Sequence, residues 1–432
     1  MKKVAFYTLG CKVNQYETEA MSELFSKNGY IVCDFETPAD IYVINTCTVT
    51  GMSDRKSRQI IRRAKKLNEN AYIIVTGCYA QVAPGDVAKI EGVNLVLGAK
   101  ERDKVIELLK KHEDEVFFSQ RGDISRTHDF EPLRISDFEN RTRAYIKVQE
   151  GCNQFCSYCI IPYARGPIRS RALSDVLEET KRLSLAGFTE VTYVGIHIAS
   201  YGLDLGNTDL ADLLLAADKI EGIKRIRLSS IEPMTLNADF IKKISGVQKL
   251  CHHFHLSLQS GCDETLMRMN RKYTTNDYYG IVEGLRKHFP DVSITTDIMV
   301  GFPGETDEEF SKTCAFLKKV SFSGAHIFQY SRRRGTPAAS FENQVPSEEK
   351  ARRSKIVKEI TDKTQSEFMQ KFIGKDADVL FEQRRGEYFE GKTNNYMNVL
   401  VKTEKDLSGV YKKVHIERIK NNSFIGKIIE ED

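Results

Sequence analysis

Short apolar runs alternate with amphipathic segments along the first 135 residues of the chain. The runs are rich in β-branched residues, which is typical of buried strands, and the longer segments repeat apolar residues at helical spacing. This alternation predicts an α/β fold with a doubly wound parallel sheet and helices on both of its faces. The predicted strands are residues 4–9, 41–45, 72–76 and 93–97, and the predicted helices are residues 15–27 and 102–111.

A second strand–helix series follows a predicted linker at residues 131–143 and extends to about residue 370. Its six units are fewer than the eight of a TIM barrel, so the pattern predicts a partial (βα)6 barrel. Active sites of such barrels lie at the carboxyl ends of the strands. The predicted strands are residues 144–149, 190–195, 225–229, 254–258, 293–300 and 325–330.

The pattern changes again after Gly374, which follows a long polar helix predicted at residues 346–369. Five short strands separated by polar turns predict a small β-barrel of OB-like type, a common nucleic-acid module. These strands are residues 377–381, 388–392, 397–401, 411–419 and 424–429. We therefore expect three domains, at residues 1–135, 136–370 and 371–432.

The composition is that of a globular protein expected in the cytoplasm. Of the 432 residues, 41% are hydrophobic and 29% are charged, so a core of ordinary size is expected. We expect no membrane span, because no apolar run reaches about 18 residues, and the N-terminus has no signal-peptide pattern. Ten cysteines in an intracellular chain indicate metal binding or catalysis. The net charge of +4 permits nucleic-acid binding through local patches.

Three cysteines follow the first strand of the predicted partial barrel. Cys152, Cys156 and Cys159 form a C-x3-C-x2-C triplet. Thiolates are the usual ligands of iron–sulfur clusters, and three of them leave one iron of a four-iron cluster open to a substrate. The alternatives are a zinc knuckle or three packed cysteines. Zinc ribbons favour a second C-x2-C pair or a histidine downstream, and the later cysteines are scattered singly, so the triplet favours an iron–sulfur cluster.

Three further cysteines each follow a predicted strand of the first sheet. Cys11, Cys47 and Cys78 come after the first, second and third predicted strands, in the local sequences LGC, NTC and TGC. Ligands of open α/β sheets bind beyond the carboxyl ends of the strands, so these loops are expected to meet there. Three unrelated buried cysteines are the alternative. The repeated position favours a second iron–sulfur cluster.

Residues 52–66, just after Cys47, are strongly basic. They contain seven Lys or Arg residues and one acidic residue, together with apolar positions that give a helix an inner face. A solvated helix surface and an RNA phosphate contact are both open interpretations. The candidate RNA-binding residues are Arg55, Arg58, Arg62 and Arg63 here, with Arg332 and Arg334 near the predicted barrel mouth.

The triplet, with Tyr158 immediately before its last cysteine, resembles the signature of radical S-adenosylmethionine (SAM) enzymes. The resemblance implies that the open iron chelates the amino and carboxylate groups of SAM, whose cleavage gives a 5′-deoxyadenosyl radical. Polar and glycine-rich segments follow other strands of the predicted barrel, where they could contact this cofactor. The cofactor-binding candidates are Tyr158, Gly195, Glu232, Ser257, Gln259, Asp297 and Val300.

The whole chain resembles the radical-SAM methylthiotransferases. The resemblance rests on the triplet segment GCNQFCSYCIIPYARGPIRSR, on the segment YSRRRGTPAA, and on the three N-terminal cysteines. It implies two 4Fe-4S clusters, the second on Cys11, Cys47 and Cys78, and a C-terminal TRAM domain. It also implies SAM as both methyl donor and radical source, an electron donor such as a flavodoxin or ferredoxin, and a sulfur donor.

The opening TLGCKVNQYE resembles the subgroup that converts threonylcarbamoyladenosine, next to the anticodon of tRNA, to its 2-methylthio form. Sister groups act on isopentenyladenosine in tRNA or on an aspartate of a ribosomal protein, and both remain alternatives. A non-enzymatic iron–sulfur protein that binds RNA or senses redox state is the alternative of another class. Such a protein would not require a partial barrel with polar strand ends.

Overall fold

One six-stranded parallel sheet forms the first part of the chain in a computed structural model of the protein, which describes residues 1–112, 118–120, 122–135 and 142–429. Its strands are β1 (Lys3–Thr8), β2 (Ile31–Cys33), β3 (Ile41–Thr46), β4 (Tyr72–Gly77), β5 (Val93–Leu97) and β6 (Phe118–Gln120). Its helices are α1 (Lys12–Lys27), α2 (Gly51–Leu67), α3 (Cys78–Val82), α4 (Pro84–Ala88) and α5 (Val105–Lys111). The strand order is β2-β1-β3-β4-β5-β6, which confirms the predicted doubly wound sheet.

Both faces of this sheet are covered by helices, which explains why its central strands are mostly apolar. Ile41 and Val43 of β3 pack with α1 and α5, whereas Tyr42 and Ile44 pack with α2, α3 and α4. Side chains alternate between faces along a strand, so a strand buried on both faces is apolar along most of its length. The pattern did not predict β2 and β6, which are three-residue strands at the two edges of the sheet.

Six parallel strands form the partial barrel, which confirms the prediction. The strands of this part are β7 (Ala144–Glu150), β8 (Arg169–Ser170), β9 (Glu190–Gly195), β10 (Arg225–Leu228), β11 (His253–His255), β12 (Ser293–Val300) and β13 (Gly324–Gln329). Parallel pairing links β7 to β9, β9 to β10, β11 to β12 and β12 to β13. Parallel bridges between Ile226 and Leu250 and between Ile231 and Leu256 join the two halves. The short β8 pairs antiparallel with β7.

The helices of the barrel lie outside its strands and close its apolar core. They are α6 (Ile161–Arg165), α7 (Leu173–Leu185), α8 (Leu210–Ala217), α9 (Ala238–Ile244), α10 (Asp263–Arg268), α11 (Thr275–His288), α12 (Asp307–Val320) and α13 (Ser347–Gln370).

The first part of the predicted linker is not a linker. Leu133 and Ile135 are buried in the core of the barrel, and Tyr16 of α1 donates a hydrogen bond to the carbonyl of Leu133 at 2.9 Å. Glu131 is also buried, in an ion pair with Arg102 at 2.7 Å. These contacts join the first sheet to the barrel. Residues 136–141 of the predicted linker lie outside the described residues.

A closed five-stranded barrel ends the described chain, as the five short apolar runs predict. Its strands are β14 (Asp376–Arg385), β15 (Tyr388–Thr393), β16 (Asn398–Lys402), β17 (Tyr411–Lys420) and β18 (Ser423–Ile428), in the order β14-β15-β16-β18-β17. Alternate residues such as Val379 and Phe381 fill its interior, and Met369 at the end of α13 packs against them. Among the described residues, none of the helices is both long and apolar enough to cross a membrane.

Buried arginines attach this small barrel to the partial barrel. Arg227 of β10 donates to the carbonyls of Thr393 and Asn394 at 2.8 and 2.9 Å, and pairs with Glu190 at 2.7 Å. The ring of Tyr396 stacks on His253, with a centroid separation of 4.8 Å. Because these donors and acceptors are removed from water, each needs its partner.

We expect Arg227→Ala to loosen the small barrel. The substitution leaves the carbonyls of Thr393 and Asn394 without this donor and removes one of the cations paired with the buried Glu190, a change that typically costs about 3–5 kcal/mol. Limited proteolysis should release a fragment containing the small barrel earlier than in the wild-type protein. Lys402→Ala, which breaks an exposed pair with Glu387 on the same barrel, is the control and should not change the cleavage rate. Equal cleavage rates for the two variants would contradict this account of the interface.

Candidate active site

The three N-terminal cysteines lie at one edge of the first sheet. Cys11 precedes α1, Cys47 follows β3, and Cys78 is the first residue of α3, directly after β4. The strands β1, β3 and β4 are neighbours and parallel, so the loops at their carboxyl ends meet. Burial raises the pKa of Cys11 and that of Cys47, and Cys78 lies close enough that a charge on its sulfur would raise both further. The structure thus brings the three predicted residues together.

Two glycines let these cysteine loops approach one another. Gly10 has φ +105°, and a Cβ added there would lie 2.8 Å from Cβ of Cys47. Gly77 has φ +94°, and its Cβ would lie 2.3 Å from the carbonyl oxygen of Thr46. Only glycine avoids both the steric clash and the backbone strain at these positions. The LGC and TGC sequences are therefore explained by packing between the loops.

The triplet loop is held by backbone hydrogen bonds to distant segments. Ser157 donates its N–H to the carbonyl of Met269 at 3.0 Å, and its own carbonyl accepts from the N–H of Ala338 at 2.8 Å. Cys152 donates its N–H to the carbonyl of Gly166 at 3.0 Å. Gly151, at φ +73°, permits this contact, since a Cβ there would lie 1.8 Å from the carbonyl oxygen of Pro167. The loop is therefore fixed before any metal binds.

Burial favours the protonated form of four of the six thiols in the absence of a metal. It raises the pKa of Cys152 to about 11 and that of Cys159 to about 12. It also raises the pKa of Cys11, and raises that of Cys47 to about 11. Metal ligands must be thiolates, so binding at either set of cysteines must release protons.

One buried guanidinium contacts a sulfur in each set of cysteines. Arg271 donates from Nη1 to Sγ of Cys156 at 3.4 Å and pairs through Nη2 with Glu232 at 2.6 Å. Arg165 donates from Nε to Sγ of Cys78 at 3.2 Å. Both contacts place the positive charge of a guanidinium against a sulfur. Sequence analysis did not identify either arginine.

Arg165 also joins the two sets of cysteines. It is the last residue of α6, six positions after Cys159, and its side chain is fully buried. Its guanidinium donates to Glu17 at 2.6 Å and to Asn14 at 2.5 Å, both in α1, and to Glu150 at the end of β7 at 2.8 Å. One side chain thus connects Cys78, α1 and the strand that leads into the triplet.

The charged side chains around Arg165 form a buried network with equal numbers of positive and negative charges. Three carboxylates alternate with three cations; they are Glu17, Glu131, Glu150, Arg102, Lys147 and Arg165. Burial opposes ionisation of the carboxylates, but Lys147 and Arg165 hold the pKa of Glu150 well below its ordinary value. The pKa of Glu17 is also lowered, because Arg102 and Arg165 outweigh the effect of burial. The carboxylates are therefore ionised at neutral pH.

A cavity of about 1210 Å³ opens between the first sheet and the partial barrel. Its wall contains the immediate sequence neighbours of five of the six cysteines: Thr48, Tyr79, Asn153, Phe155 and Ile160. This volume exceeds the range of about 300–1,000 Å³ typical of small-molecule pockets. The cavity is therefore large enough for a nucleotide, and residues next to both sets of cysteines border it.

The cysteines do not form a site for a single metal ion. In the part of the chain that the structure describes, no three His, Cys, Asp or Glu side chains come together as ligands of one ion. A four-iron cluster binds its thiolates on separate iron atoms, so this finding concerns a single ion and not a cluster.

Comparisons with known proteins give the family. Residues 3–98 match the uncharacterized protein family UPF0004, and residues 146–317 match the radical SAM superfamily. The chain is 42% identical to the threonylcarbamoyladenosine tRNA methylthiotransferase MtaB of Bacillus subtilis, over 96% of this chain and 94% of that protein. The chain belongs to the tRNA methylthiotransferase family.

Other members of the family are similar over most of their length. The protein of the same name from Aquifex aeolicus is 41% identical, over 92% of this chain and 98% of that protein. The tRNA-2-methylthio-N(6)-dimethylallyladenosine synthase of Dictyoglomus thermophilum is 35% identical, over 100% of this chain and 99% of that protein.

A solved radical SAM structure shares the fold. It is the methyltransferase TsrM from Kitasatospora setae, solved with cobalamin and a 4Fe-4S cluster bound. It superimposes with a TM-score of 0.57 at 16% identity, over 78% of this chain and 77% of that chain. At this identity the similarity shows the fold alone.

The residues predicted to bind the family's cofactor lie along the carboxyl ends of the barrel strands. Gly195 ends β9, and a Cβ there would lie 2.9 Å from Oε1 of Gln149. Glu232 is buried, and its carboxylate is bound by Arg271. The carbonyl of Ser257 accepts from Arg271 at 3.0 Å. Gln259 has φ +69° and bridges to Ile298 of β12.

The remaining cofactor candidates already contact other residues of the protein. The carboxylate of Asp297 lies 3.2 Å from Nε2 of His255. Val300 has a buried side chain, and its carbonyl accepts the N–H of Tyr330 at 2.9 Å. Tyr158 packs edge-on against Phe302, with the ring centroids 6.4 Å apart. Asp297 and Val300 thus already have partners within the protein, and cofactor contacts of all seven candidates remain predictions.

The arginines predicted to bind RNA differ in their surroundings. Arg55 and Arg62 are exposed on α2, whereas Arg63 pairs with Glu36 at 2.5 Å. Arg58 is half-buried and lines the cavity. Arg332 and Arg334 are exposed, and Arg334 also lines the cavity.

Arg333 lies between these two exposed arginines, and sequence analysis did not name it as a candidate residue. It is buried and donates to Asp54 of α2 at 2.7 Å. It also donates to the hydroxyl of Thr48, next to Cys47. Arg333 therefore joins the end of the partial barrel to the N-terminal cysteine loop.

We expect Arg165→Gln to destabilise the fold strongly. The variant leaves three buried carboxylates against two cations, and breaking such a network typically costs about 3–5 kcal/mol. Chemical denaturation of the metal-free protein, followed by circular dichroism, measures the loss. Arg165→Lys should lose less, because it keeps the charge but not the planar set of donors.

Arg134→Gln is the matched control, because Arg134 forms an exposed pair with Asp175 at 2.9 Å. This variant should unfold like the wild-type protein. Wild-type stability in Arg165→Gln would refute the structural role of the network.

Proposed function

We propose that the protein converts threonylcarbamoyladenosine, next to the anticodon of tRNA, to its 2-methylthio derivative. The observation that carries the proposal is the single cavity bordered by neighbours of both sets of cysteines. A substrate held there is close to both metal-binding loops at once, as a reaction that adds sulfur and methyl to one carbon requires. The relatives with 41–42% identity that carry this name support the choice of substrate.

The donor sets fit the cofactors that the family uses. Cys152, Cys156 and Cys159 provide three thiols for a 4Fe-4S cluster whose fourth iron binds SAM, and Cys11, Cys47 and Cys78 provide three thiols for a second cluster. A guanidinium also donates a hydrogen bond to one sulfur of each set. When bound, the clusters and SAM supply the radical, the sulfur and the methyl group.

The protein's own residues orient these groups and hold the two parts together. Arg165 fixes the loop of Cys78 against the strand that leads to the triplet. Arg333 fixes the loop of Cys47 against the end of the partial barrel. A cavity enclosed by both parts limits the access of water to a reactive intermediate. Reaction at one base therefore depends on the interface as much as on the cysteines.

We assign tRNA binding to α2 and the small C-terminal barrel. The exposed arginines of α2 could neutralise phosphates beside the cavity, which supplies affinity without reading sequence. The closed five-stranded barrel has the OB-like form expected of a TRAM domain. On this assignment the domains are residues 1–135, 136–370 and 371–432. A flavodoxin or ferredoxin would supply electrons, and a separate donor would supply sulfur.

Isopentenyladenosine in tRNA is the second candidate substrate. It is favoured by relatives that are 35% identical and are named for the dimethylallyl substrate. Because the other relatives are more similar, threonylcarbamoyladenosine is the first choice.

Purified, reconstituted protein should methylthiolate tRNA that carries threonylcarbamoyladenosine and leave tRNA with isopentenyladenosine unmodified. The reason is that a pocket shaped around the polar threonylcarbamoyl group would be left partly unfilled by the smaller apolar group. Mass spectrometry of the tRNA nucleosides measures the product. If only isopentenyladenosine were modified, the second candidate would be the substrate and the first proposal would be wrong.

Anaerobic reconstitution should give about eight irons per chain, as two four-iron clusters imply. Replacing Cys152, Cys156 and Cys159 by Ala should leave about half of the iron and abolish SAM cleavage. Replacing Cys11, Cys47 and Cys78 by Ala should also leave about half, but retain SAM cleavage and stop methylthiolation. Replacing Cys251 by Ala, a buried cysteine outside both sets, is the control for iron content. If either triple variant kept the iron content of the wild-type protein, the assignment of a cluster to those three cysteines would be wrong.

A further inference from the structure

The cavity contains a fixed cation that the catalytic proposal does not use. Arg58 lies in α2, and its Nη1 donates to the hydroxyl of Tyr79 at 3.1 Å. Tyr79 is buried and directly follows Cys78. Both residues line the cavity. The tyrosine therefore holds the guanidinium in the cavity wall beside a cysteine loop.

The other charged residues of the wall differ from Arg58. Arg333 is bound to Asp54 at 2.7 Å and to Thr48, so its charge is already balanced. Arg334 is exposed on a loop. No carboxylate among the described residues forms an ion pair with Arg58, whose guanidinium instead donates to the hydroxyl of Tyr79.

The carboxylates of the wall do not cancel the charge of Arg58. Asp54 is held by Arg333, and Asp123 pairs with Arg126 at 3.3 Å. Asp86 lies at the rim, where its side chain is exposed to solvent. A half-buried guanidinium with an uncommitted charge is suited to bind an anion, and a planar carboxylate fits its paired donors.

The proposed substrate supplies such an anion. The threonylcarbamoyl group ends in the free carboxylate of threonine, whereas adenosine and isopentenyladenosine carry no charge on their bases. We propose that Arg58, held by Tyr79, binds this carboxylate and gives the enzyme its preference for threonylcarbamoyladenosine. This inference rests on the proposed function and names the residue that selects its substrate.

Binding of anticodon stem-loops to the full-length reconstituted protein, without SAM so that no turnover occurs, tests the proposal. Three stem-loops are compared by fluorescence anisotropy: one with the threonylcarbamoyl group, one with its methyl ester, and one with unmodified adenosine. The methyl ester removes the negative charge of the threonine carboxylate and changes the size of the group only slightly. The wild-type protein should bind the acid about tenfold more tightly than the ester, as a charge-assisted hydrogen bond predicts.

Arg58→Gln should abolish the difference between acid and ester while leaving the affinity for unmodified adenosine unchanged. Glutamine can still bond to Tyr79, so the fold should be kept, and the melting temperature checks this. Arg58→Lys should keep part of the difference. Arg62→Gln, an exposed arginine one turn along α2, is the matched control. Because Arg62 would contact a phosphate, its substitution should weaken the binding of all three stem-loops by the same factor.

Three results would overturn the role of Arg58. The variant could keep the acid-to-ester ratio, it could weaken all three stem-loops equally as a phosphate contact would, or the ratio could be lost only in Arg334→Gln. In each case wild-type methylthiolation of threonylcarbamoyladenosine would leave the proposed function intact. If the wild-type protein neither methylthiolates this base nor distinguishes it from adenosine, the proposed function fails, and the role of Arg58 fails with it.

Discussion

The buried guanidinium of Arg165 is the contact on which the two-part site depends. It joins Sγ of Cys78, two residues of α1 and Glu150 at the end of β7, all out of contact with water. A buried charge is tolerated only when it is fully paired, and here three carboxylates balance three cations. A hydrophobic interface of equal area would be as stable, but it would tolerate sliding. The fixed directions of charged hydrogen bonds specify one position of the sheet relative to the barrel.

This constraint explains why the functional cavity lies where it does. The sheet contributes the loops after β3 and β4, and the barrel contributes the triplet loop after β7. Each part alone would present its cysteines at an open edge. The network beneath them and the Arg333 contact beside them enclose a space between the parts. The proposed chemistry, which needs two metal centres near one base, depends on this interface.

The small barrel is attached by the same kind of contact on another side of the molecule. Arg225 and Arg227 of β10 donate to backbone carbonyls of the small barrel, and Glu190 holds Arg227 in place. Buried arginines thus set the position of each part of the chain. Arg55 and Arg62 of α2 are instead exposed to solvent, and Arg58 of the same helix is half-buried in the cavity wall.

The sequence by itself determined the longer strands and helices, the cysteine sets and the family resemblance, because these depend on local patterns and short spacings. Strand–helix alternation places Cys11, Cys47 and Cys78 at one sheet edge without any knowledge of packing. Only the tertiary structure decided the roles of the buried arginines. Arg165 meets Glu17 from 148 positions away, and Arg271 meets Cys156 from 115 positions away. The residues next to an arginine in the sequence do not indicate whether it is buried. Its partners are distant in the sequence and are brought to it only when separate layers of the fold pack together.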